Sequence, residues 1–175
     1  DAYAACPVSS PTRASILSGQ YPARVGITDF ISGHWRPFEE VIVPRNRTQY
    51  LPEEIITIGE VLQEAGYATG YFGKWHLGFE ERHQPGNQGF ESVHVYNGGS
   101  YYSYADRMSP PIQVEEGTIL SEALTDLSLD FIEEHQEDPF FLFLAHYDVH
   151  VQLDADSMLI QKYLAKDKVA GYPCN

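Results

Sequence analysis

Three short stretches hold side chains whose types and spacing could do chemistry. The first, CPVSSPTRASILSGQYPAR from Cys6 to Arg24, gathers one thiol, five serine and threonine hydroxyls and two arginines around Pro11. The second, GKWHLG, sets Lys74 two residues before His76, so in an extended segment both point to one side and together suit an anionic tetrahedral group. The bland alternative is a solvated lysine beside a packed Trp75. The third, HYDVH, places His146, Asp148 and His150 at alternate positions, a trio that a metallohydrolase could use as metal ligands. Its alternatives are a single functional histidine, or a half-buried His146 followed by Asp148 in a turn.

Local sequence signals say which elements must hold these groups. Ser10 and Pro11 read as an N-cap and first helical residue, giving a helix from Pro11 to Ser18 that Gly19 ends in a left-handed conformation. Ser9 is then expected just outside a helix N-terminus, where free N–H groups favour an anion. On this stretch alone, the favoured reading is that Ser9, Ser10 and Thr12 merely cap a short surface helix. Further on, Thr57 and Glu60 have capping-box spacing, with Ile58, Val61, Leu62 and Ala65 on one face and Gly66 at the end. A strand is expected from Tyr67 to Phe72. Leu120, Leu124, Leu127 and Phe131 mark a helix from about Thr118 to Gln136, closed by Pro139, and FFLFLA reads as a strand of a parallel sheet covered on both faces. Helix-strand alternation of this kind points to an α/β sheet. Its ligands gather at the carboxyl ends of strands, where Lys74, His76 and the HYDVH run fall. Ser32 to Glu54 and His83 to Val114 read as long loops; the tyrosines of VYNGGSYYSYADR could stack on sugar rings or pack locally.

Composition narrows the classes. With 175 residues, 43% of them hydrophobic, the chain can bury a sizeable core. A net charge of −14 argues against a nucleic-acid surface, though not against a local basic pocket. The longest apolar run, Phe140 to Ala145, is far too short to span a bilayer, so no transmembrane segment is expected. Cys6 and Cys174 allow one bridge or none. The first methionine is Met108, so a fragment is expected, with any signal peptide outside it.

Taken together, these stretches resemble a known family. PVSSPTRASILSGQYPAR resembles the sulfatase signature, in which Cys or Ser is followed by Pro at plus two and Arg at plus four. Only Ser9 fits that register, with Pro11 and Arg13; from Cys6 the same offsets give Val8 and Ser10. GYATGYFGKWHLG is similar to the second sulfatase signature, and PFFLFLAHYDVHVQL looks like the later strand and loop whose last histidine, here His150, enters the active site. Gln20 and Gln152 depart from an arginine and a proline common at those points.

The resemblance implies residues 1–175 as part of a sulfatase catalytic domain truncated at both ends, within an alkaline-phosphatase-like sandwich whose mostly parallel sheet is flanked by helices. It implies that a maturation enzyme oxidises Ser9 to formylglycine, whose hydrate attacks sulfur and then releases sulfate. In that scheme Arg13 holds the diol, Lys74 binds sulfate, His76 is the base and His150 contacts sulfate near the leaving oxygen. A calcium ion is implied too, with formylglycine at Ser9 as one ligand. Its usual Asp-Asp and Asp-Asn pairs are absent from these 175 residues, as is a second active-site lysine. The fragment alone is therefore expected to be inactive. A sulfated glycan is the implied substrate, and a serine-type site implies a bacterial periplasmic or secreted enzyme. A phosphate or phosphonate ester hydrolase of the same superfamily and a non-catalytic sulfated-glycan binder with unmodified Ser9 remain as alternatives.

Overall fold

The computed structural model describes residues 1–33 and 45–167. Cys174 and part of the Ser32 to Glu54 loop lie outside the described residues. Helices α1 (Ser9–Ser18) and α2 (Pro22–Val25) come first, then α3 (Ile58–Glu64), β1 (Ala68–Gly73), β2 (Ser92–Val95), α4 (Leu120–Glu134), β3 (Phe140–Ala145) and α5 (Ser157–Leu164). The three strands form one parallel sheet in the order β2-β1-β3. Gly73 at the end of β1 is level with Val95 and Ala145, so all three strands deliver their following loops to the same edge.

Strand alternation divides the core. Tyr71 packs on one face with Ala14 and Leu17 of α1, Trp75, Leu77 and Phe90. Its neighbour Phe72 points to the other face, against Leu124 and Phe131 of α4 and the tyrosines 96, 101 and 104. The expected stripe on α4 is realised: Leu120, Leu124 and Phe131 are buried and Leu127 partly so. The sheet is thus clothed by helices on both faces, as the alternation of elements requires. Among the described residues, no helix is long and apolar enough to cross a membrane.

Four expectations need correction. First, α1 begins at Ser9, with Val8 as an N-cap that makes no side-chain bond. Ser10 is no cap, because its buried hydroxyl donates to the His76 carbonyl (2.8 Å) and accepts from Ile31 N–H (3.0 Å), a tertiary use that local propensity does not register. Second, the Thr57–Glu60 capping box forms, yet Ile58 and Val61 stay exposed and α3 buries Gly59 instead. A Cβ there would come within 2.8 Å of the Gln88 carbonyl oxygen and the Phe90 ring, so only glycine permits this approach. Third, β3 is a sheet edge in the described residues, and Phe140 and Leu144 remain over one-third exposed. Fourth, the long loop from His83 to Val114 contains β2, a four-residue strand too short and too polar for its alternation to stand out.

Candidate active site

The groups singled out by sequence meet at the carboxyl ends of β1 and β3. A cavity of about 460 Å³ there is lined by residues including Cys6, Ser9 and Arg13 from the α1 region, Lys74 after β1, and His146, Tyr147, Asp148 and His150 after β3. Helix geometry aligns the first pair: Ser9 and Arg13 are four residues apart on one face, and Arg13 Nε donates to Ser9 Oγ at 3.0 Å. Arg13 Nη1 also donates to the Lys74 carbonyl (2.6 Å) and lies 3.3 Å from the Tyr71 hydroxyl, which itself donates to the same carbonyl at 2.6 Å. Burial pushes Tyr71 up to about 12, the neighbouring guanidinium opposing, so it stays a neutral donor.

Lys74 is buried, and its ammonium lies over the Tyr147 ring at 5.4 Å from the centroid. Desolvation first, and the Arg13 charge second, lower its pKa from 10.5 to about 8. Two cations held together in a chain of net charge −14 mark a site built for an anion.

His76 departs from the extended geometry expected of GKWHLG. Its φ is 59°, in the left-handed region. Asn97 Oδ1 accepts from its backbone N–H at 3.0 Å, which helps hold that conformation. The turn brings Nδ1 within 3.3 Å of Ser9 Oγ while Nε2 contacts the Ile31 carbonyl. A carbonyl only accepts, so Nε2 carries the hydrogen and Nδ1 offers its lone pair to Ser9. Burial lowers the pKa of this ring, with Lys74, Arg13 and His150 adding to the effect and the Ile31 hydrogen bond opposing it.

His150 is fixed in the opposite sense. Its Nδ1 lies 2.8 Å from the Val151 carbonyl and 3.1 Å from the Tyr147 hydroxyl, so Nδ1 carries the hydrogen and Nε2 is the ring's remaining atom. His146 is exposed, contrary to the half-buried alternative, and Asp148 is half-buried with an Oδ2 that has no hydrogen-bond partner among the described residues. Sequence reasoning missed Tyr71, Tyr147 and the carbonyls of Ile31 and Val151. A main-chain acceptor leaves no mark in residue types, whereas Tyr147 lay inside the HYDVH run. Tyr96, Tyr101 and Tyr104 pack locally, each at most 1% exposed, which decides against sugar stacking by those three rings.

Calcium fits these residues poorly. The side chains that contact Ser9 Oγ are Arg13 and His76, neither of them a carboxylate, and among the described residues no group of three or more His, Cys, Asp or Glu could hold a metal ion. The zinc reading of HYDVH fails on the same ground.

The sulfatase family model matches residues 1–174. An arylsulfatase of Hemicentrotus pulcherrimus is 33% identical over 170 residues, covering 83% of this chain and 29% of the relative. An N-acetylgalactosamine-6-sulfatase of Sus scrofa is 30% identical over 174 residues, covering 87% and 33%. Among solved structures, the chain is similar to Ps i-CgsB in complex with k-i-k-neocarrahexaose, with a TM-score of 0.73 at 26% identity over 96% of this chain and 41% of that one. The chain spans about a third of the length of these curated relatives. Its helix-clothed parallel sheet is part of the alkaline-phosphatase-like fold. With the family model matching nearly end to end, Ser9, Arg13, Lys74 and His150 lining one cavity and His76 against Ser9 though outside that lining, the chain belongs to the sulfatase family.

Proposed function

We propose that these residues form the N-terminal part of a sulfatase catalytic domain that hydrolyses sulfate esters through a formylglycine made from Ser9. The observation that carries this reading is the pair of contacts on Ser9 Oγ: Arg13 Nε donates at 3.0 Å and His76 Nδ1 lies at 3.3 Å with its lone pair free. The converted residue would supply a geminal diol, one hydroxyl to attack sulfur and another whose deprotonation releases sulfate. Four side chains of this chain take part beside it. Arg13 orients the position-9 oxygen and balances its charge. Lys74 attracts the sulfate oxygens as a point charge. His76, kept neutral by burial, accepts a proton at Nδ1. His150 presents Nε2, which donates to the sulfate or the leaving oxygen only when the ring is protonated, because Nδ1–H is already committed to Val151.

The substrate class is a sulfated glycan, supported by the N-acetylgalactosamine-6-sulfatase relative and the oligosaccharide in the similar structure. Calcium, whose ligands would come from outside this chain, a serine-type maturation enzyme, and a periplasmic or extracellular bacterial location complete the reading. Mass spectrometry tests it. When the full-length protein is made with such a maturation enzyme, the peptide containing Ser9 should lose two hydrogens and react with hydrazine reagents. Conversion at Cys6 instead, or unmodified Ser9 in a protein that hydrolyses sulfate esters, sinks the assignment.

A further inference from the structure

We propose that Tyr101 is a positioning residue for His150. Its hydroxyl accepts from the His150 backbone N–H at 2.6 Å and donates to the carbonyl of the same residue. One phenol thus satisfies both main-chain groups of a residue 49 positions away in sequence. A hydroxyl can do this because it has one donor and two lone pairs.

The clamp is itself anchored. Tyr101 is 1% exposed, and its own carbonyl accepts from Leu120 N–H at 2.9 Å, at the first residue of α4. Its ring packs 5.6 Å from that of Tyr147, whose hydroxyl meets His150 Nδ1 and whose face lies beneath the Lys74 ammonium. With the backbone of His150 pinned, its Nδ1–H stays on the Val151 carbonyl and Nε2 remains the ring's free atom. Without the clamp, the loop from Val149 to Leu153, in which Val149, Val151 and Leu153 are each over 70% exposed, would hold this ring only through its contacts with Tyr147 and the Val151 carbonyl among the described residues. The tyrosine-rich loop therefore serves the site through geometry.

The ring geometry stands on its own, while its effect on turnover rests on the sulfatase reading above. The test uses the 15N-labelled full-length protein, with His150→Gln to assign the ring signals. At neutral pH the His150 ring should show a protonated Nδ1. In Tyr101→Phe both ring nitrogens should move toward the average of two exchanging tautomers, and kcat/KM for an aryl sulfate should fall roughly 10- to 100-fold, mainly in kcat. Tyr104→Phe is the matched control: it is equally buried in the same cluster, and its hydroxyl serves only the Thr118 carbonyl among the described contacts (3.1 Å). It should leave ring signals and turnover near wild type. If Tyr101→Phe fails to fold, amide hydrogen exchange in the wild type decides: the His150 N–H, held by the Tyr101 hydroxyl, should be protected within this exposed loop, and exchange as fast as that of its exposed neighbours overturns the proposal. Wild-type ring signals in Tyr101→Phe, or equal shifts in Tyr104→Phe, overturn the proposal. The ring signals decide it even in a protein without sulfate ester turnover, which would count against the sulfatase reading alone.

Discussion

Arg13 and Lys74 carry like charges yet are tied together, because the Arg13 guanidinium donates to the Lys74 main-chain carbonyl at 2.6 Å. The bond fixes the arginine by the backbone of the very residue whose side chain it repels. Two cations then face one cavity, and the repulsion between them is relieved when an anion arrives. This explains why burial and Arg13 together lower Lys74 to about 8 while the fold tolerates it.

Inorganic sulfate binding should therefore weaken as pH rises through about 8, where Lys74 in the free protein loses its proton. Isothermal titration at pH 7 and pH 9.5 should show the loss, approaching about tenfold per pH unit. In Lys74→Met the affinity should be low at both values. The stability effect has the opposite sense: a depressed lysine costs most below its folded pKa, and the cost is relieved between about 8 and 10.5. Sulfate affinity independent of pH in the wild type would remove Lys74 from the anion site.

Arg13→Lys keeps the charge and loses the fork. A lysine ammonium cannot bond Ser9 Oγ, the Lys74 carbonyl and the Tyr71 hydroxyl from one rigid plane. Aryl sulfate turnover should drop roughly 10- to 100-fold while the salt dependence of sulfate binding stays near wild type. Unchanged turnover would make Arg13 a charge and nothing more.

His76 is a left-handed non-glycine residue, a conformation that costs about 1–2 kcal/mol. In His76→Gly the relief of that strain offsets much of the lost Ile31 hydrogen bond, worth about 1 kcal/mol. The melting temperature should stay within about 4 °C of wild type. Turnover should fall roughly 10²- to 10⁴-fold if Nδ1 is the base. Because burial lowers this histidine below its ordinary 6.5, the acid limb of kcat/KM, which reports the free enzyme, should lie below that value in the wild type. The same shift makes folding stability decline as pH drops below 6.5, since the unfolded chain takes up the proton more readily. A stable His76→Gly protein with full activity would exclude the base role.

Strands β1 and β3 and helices α1, α3 and α4 were legible in residue order because their signals are local or periodic. The Leu120 to Phe131 stripe, the Thr57 box and FFLFLA each need only their own neighbours to be read. The meeting of Ser9, Arg13, Lys74 and His150 at one cavity followed from the rule that strand ends collect ligands, once the signatures named the residues. What stayed hidden depends on distant partners. Ser10 looks like a cap until His76 and Ile31 are seen beside it. Tyr101 looks like any loop tyrosine until His150 arrives from 49 residues away. His76 reads as extended because nothing local announces a positive φ in a histidine.

Gly73 joins fold to site and gives the last prediction. It closes β1 at φ 110°, and a Cβ built there would sit 2.0 Å from the Ala145 carbonyl oxygen. That oxygen accepts from Lys74 N–H at 2.8 Å, the contact that aims the lysine from the strand end into the cavity. Gly73→Ala therefore forces β1 and β3 apart at the point where they present Lys74 and His146. Urea unfolding of the full-length protein should show a loss of about 3 kcal/mol or more, well beyond an ordinary substitution. Gly19→Ala is the comparison: its φ is 66° with nothing within 4 Å of the added carbon, so it should cost only about 1–2 kcal/mol of backbone strain. Sulfate binding should weaken in Gly73→Ala and survive in Gly19→Ala, since only the first moves Lys74. Equal losses of stability at the two glycines, with sulfate binding intact in both, would mean that the close approach of β1 to β3 does not set the position of the lysine.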